Sequence, residues 1–177
     1  MINKLVKEIS VFNNCVQLEG ETVRIEYDYT FGLPRNIVWK YIKDETVLQN
    51  SLPDCQSFSE VSSGVYHAEL EIKMGPIQDH FALEIRLHEK KLSSLIQLQV
   101  KGTGKIGDIA GKADLYLKDQ QATTPLKCIV DAKVTGALAL AGQRLLEDGA
   151  NKGLETFFQK VEKDIKRQLY FLKRKGR

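Results

Sequence analysis

The sequence predicts an α+β fold in which a curved antiparallel sheet wraps around one long C-terminal helix, with two short helices after the first strand. Three observations predict it. From Val134 to Phe158 a strand ending in Thr135-Gly136 runs through Leu140-Ala141-Gly142-Gln143-Arg144-Leu145-Leu146-Glu147 into a helix. Apolar or small residues recur there at Leu146, Ala150, Gly153, Leu154, Phe157, Val161, Ile165 and Leu169, and steps of three and four place them on one stripe. Nearly everything between residues 54 and 135 alternates apolar and polar, which is the signature of antiparallel strands with one wet and one buried face. Finally, 177 residues at 42% hydrophobic and 28% charged fit one ordinary globular domain, and no linker or internal repeat divides them. A sheet that grips a helix can hold an apolar molecule between the two, so the architecture suggests binding before catalysis.

In chain order, residues 1–20 alternate weakly and read as an N-terminal extension, either a hairpin or an extra edge strand. Val23, Ile25, Tyr27, Tyr29 and Phe31 alternate with Arg24, Glu26, Asp28 and Thr30, a half-buried strand. Gly32-Leu33-Pro34 opens the first helix, where proline's missing N–H costs nothing, and Ile37, Val38, Tyr41 and Ile42 form its apolar side. Asp44 is placed to cap a second helix over 45–51, which Leu52-Pro53-Asp54 ends. Five strands follow. Their inner faces are Tyr66 to Met74, Phe81 to Leu87, Ser94 to Val100, Ile109 to Leu117 and Leu126 to Val134, each taken at every second residue. The domain proper then spans 21–172, and 173–177 is a basic tail.

The net charge of +3 hides an asymmetry. Residues 160–177 carry eight basic groups against two carboxylates, +6, which leaves 18 basic and 21 acidic groups elsewhere, −3. Such an end can attract an anionic surface, and it also suits the negative end of a helix dipole. The basic groups stay at one end with no aromatic-interleaved stripe across a sheet, so nucleic acid is not an expected partner. Cys15, Cys55 and Cys128 are too few and too widely spaced for a disulfide framework or a metal knuckle. The N-terminus lacks the apolar core of a secretory signal and no apolar run is long enough to span a bilayer. A reduced, cytoplasmic protein is expected, at most peripheral to the inner face of the membrane.

Catalytic motifs do not survive their context. Gly102-Thr103-Gly104-Lys105-Ile106-Gly107 matches G-x-G-x-x-G, but the residues after it alternate as a strand, where a dinucleotide cradle needs a helix. The glycines read as a hairpin loop. His67 and His88 point outward by alternation, His80 lies near the Gly75-Pro76 turn, and no nucleophile pairs with them. Glu69, Glu71 and Glu84 are expected to be exposed, Cys55 and Cys128 to be packed thiols, and Trp39 to be core or the cover of a pocket mouth. No metal set and no catalytic residue is assigned, and no cofactor is expected. Gly149 and Gly153 sit in the long helix at about 1 kcal/mol each relative to alanine. Either the sheet approaches closely there or the missing side chains leave room.

Several motifs carry a resemblance. Leu52-Pro53-Asp54-Cys55 is similar to a Leu-Pro-Gly-Cys turn, Lys73-Met74-Gly75-Pro76 to a Lys-x-Gly-Pro turn, and Gly107-Asp108-Ile109-Ala110-Gly111-Lys112-Ala113 to a glycine-rich approach to a strand. With the run Gly136 to Glu147, these resemble, in the right order over about residues 23–162, the carbon monoxide dehydrogenase G-subunit family of the START-like (SRPBCC) helix-grip superfamily. Asp54 stands where that family has glycine, and Gly136-Ala137 where Gly-Gly is usual. The resemblance implies an accessory protein that helps to mature a molybdenum hydroxylase or to hold it near the membrane. The fold implies an apolar cavity lined by Tyr66, Leu70, Ile72, Phe81, Leu83, Ile85, Leu98, Leu115, Leu117, Leu154 and Phe157, sized for a lipid or quinone. Lys166, Arg167, Lys173, Arg174 and Lys175 are the candidates for membrane or partner contact. A cyclase or hydrolase using the same cavity is the enzymatic alternative, with Tyr66 the main titratable group facing inward. A scaffold acting through its surface is the third reading.

Overall fold

The computed structural model describes residues 20–176, so nearly all of the predicted N-terminal extension lies outside the described residues. Strand β1 (Glu21–Phe31) leads into helix α1 (Arg35–Tyr41) and helix α2 (Glu45–Ser51). Then come β2 (Cys55–Ser62), β3 (Val65–Met74), β4 (Ile77–Lys91), β5 (Leu95–Thr103), β6 (Asp108–Leu117) and β7 (Thr124–Val134). A 3-10 turn (Gly136–Ala141) passes the chain to helix α3 (Gln143–Lys175). The seven strands form one sheet in the order β1-β7-β6-β5-β4-β3-β2, antiparallel throughout. Every hairpin neighbour in sequence is a neighbour in space, and β1 closes against β7.

The alternation sets the faces as expected. Register pairs Ile25 with Val130, Val130 with Ala113, Ala113 with Leu98, and Leu98 with Leu87, a row of inward side chains across five strands. The strand that the sequence does not distinguish is β2. Of its residues only Phe58 is buried, and its register on β3 shifts twice, between Cys55 and Ser57 and between Glu60 and Ser62. A polar strand with interruptions has no period-2 signal to read. Asp44 caps α2 as predicted, its carboxylate accepting from Val47 N at 3.0 Å. Pro34 sits one residue outside α1, as its cap. Asp54, in glycine's place, has φ +50°, the left-handed backbone that glycine adopts without a Cβ clash.

Helix α3 has 33 residues and continues through Lys175, past the expected start of a separate tail. Its fully buried aromatic is Phe158 rather than the predicted Phe157. Tyr27, Tyr29, Phe31 and Phe157 all pack on the Phe158 ring, with centroids 5.2–6.1 Å away. Glu162 pins the helix to β1: its carboxylate accepts from Tyr29 Oη at 2.5 Å, from Gly32 N at 2.8 Å and from Lys166 Nζ at 2.8 Å. Burial works against the charged form of Glu162, but the Lys166, Tyr29 and Gly32 donors outweigh it and hold its pKa below the ordinary 4.5. Burial, and then the Glu162 hydrogen bond, push the Tyr29 phenol up. Asp164, unlike half-buried Glu162, is buried; it ties the helix to α2 through Asn50 and is held by Arg167 and Gln168.

At the other end of the sheet an inward-facing acid closes the fold. Asp79 is 6% exposed and lies in register with Ile72. Its carboxylate accepts from Ile106 N at 2.9 Å and His80 N at 2.8 Å, and Leu138 N donates to Ile106 O at 2.9 Å. Those backbone donors, Ile106 first, outweigh burial and hold Asp79 below its ordinary pKa. The glycine loop is therefore a hairpin, as expected, fastened between β4 and the 3-10 turn.

Candidate functional site: half-buried apolar side chains between three core clusters

A domain of this size usually packs one contiguous core with smaller satellite clusters beside it. Among the described residues the buried side chains form one large cluster and two smaller ones. The first gathers Phe31, Val38, Trp39, Ile96, Leu115, Leu117, Leu126, Phe158, Val161 and Ile165 around the middle of α3. The second joins Val23, Ile25, Phe81, Val134, Leu138 and Leu146 near the 3-10 turn. The third is Phe58, Tyr66, Ala68 and Leu70 on β2 and β3. The side chains that touch two clusters at once are only half-buried: Leu83 between the second and third, Leu87 between the first and third, and Tyr27, Val130 and Leu154 between the first and second. All the strand residues among them face the helix, and their partial exposure marks where the clusters are not packed tightly onto one another.

The predicted lining divides accordingly. Ile72, Leu83, Ile85, Leu98, Leu154 and Phe157 are half-buried, with Leu83 and Leu154 each touching two clusters, whereas Tyr66, Leu70, Phe81, Leu115 and Leu117 are buried within the clusters. Leu87, Val100 and Val130, also half-buried on the inward face, are not among the residues the sequence singles out. Alternation tells which face a residue takes, not whether its neighbours reach it. The two helix glycines resolve oppositely. A Cβ on Gly149 would lie 2.5 Å from Met74 Sδ, so the helix and sheet touch there. A Cβ on Gly153 would meet no atom within 4 Å, so one turn further the helix leaves room.

The region between the clusters is chemically bare. Tyr66, the inward titratable candidate, is buried against Phe58 with ring centroids 5.3 Å apart, and its hydroxyl donates to Lys43 O at 3.4 Å. Its pKa is raised, chiefly by burial and then by Glu60, Glu45 and Asp44, so it stays a neutral phenol. His67 pairs with Glu84 at 3.5 Å and His80 lies 3.5 Å from Gln56, both on the outer face. Glu71 and Glu84 are half-buried where exposure was expected, because Gln78 and Lys73 hold one and Arg86 and His67 the other. Burial, with Asp114 second, pushes the Cys128 thiol up to about 12, and Cys55 is half-buried with Sγ 3.3 Å from Ser57 O. Trp39 is core, with Lys43 Nζ 4.6 Å over its ring. Among the described residues no group of three His, Cys, Asp or Glu side chains could hold a metal ion.

Two hollows open on the surface as well. One of about 550 Å³ lies among Pro34, Arg35, Asn36, Ser93, Asp119 and Gln121, and one of about 330 Å³ on the outer face around Glu69, His80, Ala82, Thr103 and Lys105. Of the predicted contact residues, Lys166 pairs with Glu162 and Arg167 with Asp164, while Lys173, Arg174 and Lys175 are exposed beside Tyr170, Phe171 and Leu172. No helix of the described residues is long and apolar enough to cross a membrane.

Solved structures share this arrangement. A conserved protein from Geobacillus kaustophilus matches with a TM-score of 0.78 at 23% identity, covering 82% of this chain and 96% of that one. The Zhui aromatase/cyclase from Streptomyces sp. R1128 matches with a TM-score of 0.64 at 15% identity over 84% and 96%. A START superfamily protein from Mycobacterium smegmatis matches with a TM-score of 0.65 at 9% identity over 82% and 98%. At such identities the likeness is one of fold, a START-like helix grip. None of the curated proteins matches the chain. The model for the carbon monoxide dehydrogenase G-subunit (CoxG) family, however, matches residues 30–166, including both short helices, six of the seven strands and most of α3. The chain therefore belongs to the CoxG family, that of the carbon monoxide dehydrogenase G-subunit.

Proposed function

We propose that the protein is a non-catalytic carrier that takes up a hydrophobic molecule, an isoprenoid quinone or another lipid, in the gap between sheet and α3. The observation that carries this reading is the set of inward-facing apolar side chains, Leu83, Leu87 and Leu154 foremost, left half-buried where three clusters meet beside an unobstructed Gly153. An apolar wall of this kind favours a ligand whose buried part is hydrocarbon, at roughly 25 cal/mol per Å² removed from water. Neutral Tyr66, with its hydroxyl committed to Lys43 O, offers no acid or base to a reaction there. In the cell the carrier would serve a molybdenum hydroxylase, maturing it or supplying it near the membrane. The exposed Lys173, Arg174 and Lys175 beside Tyr170 and Phe171 give α3 an end suited to weak contact with an anionic surface.

Native mass spectrometry with solvent extraction tests this on protein purified without detergent from a quinone-producing host. A stoichiometric apolar passenger is expected, reduced in Gly153→Trp, whose indole would occupy the open space. An apo mass that persists after incubation with menaquinone and with total phospholipid overturns the carrier reading.

A further inference from the structure

The hollow of about 550 Å³ lies away from the apolar gap and differs from it in chemistry. Three segments far apart in sequence build it: Pro34-Arg35-Asn36 at the start of α1, Ser93 in the β4–β5 turn, and Asp119 with Gln121 in the β6–β7 turn. Its volume is that of a small-molecule site. The walls are rich in donors: a guanidinium, two side-chain amides and a hydroxyl. Within the described residues the side chains of Asn36, Ser93 and Gln121 have no hydrogen-bond partner, so their capacity is uncommitted. The hydroxyl of Ser94, next along the same turn, is buried without a partner, so this turn carries a further unmet donor.

Arg35 has one partner, Asp119 Oδ2 at 3.5 Å, and the Asp119 side chain is 56% exposed. A long pair in which one partner is well solvated is weak and readily exchanged for a better anion. A guanidinium flanked by amides matches the oxygens of a phosphate, which it can hold through two parallel N–H donors. The surroundings favour an anion too, since exposed Lys90 and Lys91 end β4 and exposed Lys118 opens the β6–β7 turn.

We propose that this hollow is a second binding site, for a phosphate ester, with Arg35 as its main contact and Asp119 as the group an incoming phosphate displaces. The ester is either a soluble one or the headgroup of an anionic phospholipid. Carriage in the apolar gap is a separate matter, and either reading can fail alone.

The test follows the Arg35 side-chain N–H resonance in the parent, and the Asn36 and Gln121 side-chain amide resonances in the parent and every variant, in titrations with glycerol 3-phosphate and with vesicles. The vesicles are phosphatidylcholine alone or phosphatidylcholine and phosphatidylglycerol in equal parts. A saturable shift with glycerol 3-phosphate assigns a soluble ester, and a shift only with phosphatidylglycerol vesicles assigns a headgroup. In either case Arg35→Gln should weaken binding about tenfold or more, the size of one charge-assisted hydrogen bond. Asp119→Asn should strengthen it, because the internal competitor is gone. The proposal is overturned if neither probe shifts Arg35, or if Arg35→Gln binds as well as the parent. Weaker or unchanged binding by Asp119→Asn overturns it as well. So does vesicle binding that survives Arg35→Gln but disappears when Lys173, Arg174 and Lys175 are replaced by alanine, since the membrane contact then belongs to the helix end alone.

Discussion

Gly149→Ala and Gly153→Ala change the same helix in the same way, four residues apart, and should move stability in opposite directions. In a helix interior either substitution gains about 1 kcal/mol from propensity and backbone entropy. At Gly153 nothing opposes that gain, because the added methyl meets no atom within 4 Å. Gly153→Ala is therefore expected to stabilise by about 1 kcal/mol, or about 2–4 °C in Tm for a chain of this length. At Gly149 the methyl would lie 2.5 Å from Met74 Sδ and 2.8 Å from its Cγ. Overpacking of that kind costs about 1–3 kcal/mol, so the net change runs from about zero to 2 kcal/mol unfavourable. Urea unfolding followed by the fluorescence of Trp39 reads both, and an unchanged denaturant slope licenses the comparison. The intrinsic helix gain cancels between the two variants, leaving the packing difference. Equal stabilisation of both would refute the close contact at Met74, and a destabilised Gly153→Ala would refute the open space on which the proposed cavity depends.

Glu162→Gln should cost about 1–3 kcal/mol at neutral pH, because Tyr29, Gly32 and Lys166 lose a charged acceptor. Since the folded-state pKa lies below 4.5, the carboxylate's contribution is complete above that pH and is lost as pH falls through the folded value. The gap between parent and variant should thus be flat above pH 4.5 and close below it, and a gap that widens with acid would contradict the assignment. Gly107→Ala should prevent stable folding: φ is +154° and the new Cβ would stand 1.9 Å from Thr135 O, so a near-native melting curve would disprove the clasp between that loop and the end of β7. Asp54→Gly should stabilise by about 0.5–1 kcal/mol by relieving a left-handed backbone, less the added freedom of the unfolded chain. A loss on equilibrium unfolding would mean the Asp54 side chain has a role its geometry does not reveal. The Cys128 thiol, raised to about 12, should react with iodoacetamide only on unfolding, as peptide mapping would show.

The architecture was legible because its signals are periodic. Alternation placed the inward faces of β1 and β3–β7, and the three-and-four spacing placed α3. Legibility stopped where structure depends on contacts between distant segments. Asp79 sits in an inward register position, but of the backbone donors that make burial tolerable only His80 N is local; those of residues 105 and 106 have no local pattern connecting them to it. Phe157 and Phe158 are adjacent, about 100° apart on the helix, and a stripe this broad accommodates either one. Packing of Tyr27, Tyr29 and Phe31 decided for Phe158. The candidate lining was half readable for the same reason: Leu115 and Leu83 share a periodicity, but only Leu115 has neighbours on every side. The hollow at Arg35 left no trace in the sequence, since the start of α1 and two distant turns assemble it.

Among the described residues, strand β2 ends one side of the sheet, and the N–H and C=O groups of such an edge could recruit a strand from another molecule and begin an aggregate. Its two register shifts break that row of groups, and Gln56, Ser57, Ser59 and Glu60 give a visiting strand little hydrophobic surface to settle on. The irregularity that hides β2 from pattern recognition is thus a safeguard. Straightening the strand and filling its outer positions with valine would make it easier to recognise, and would make the protein harder to keep in solution.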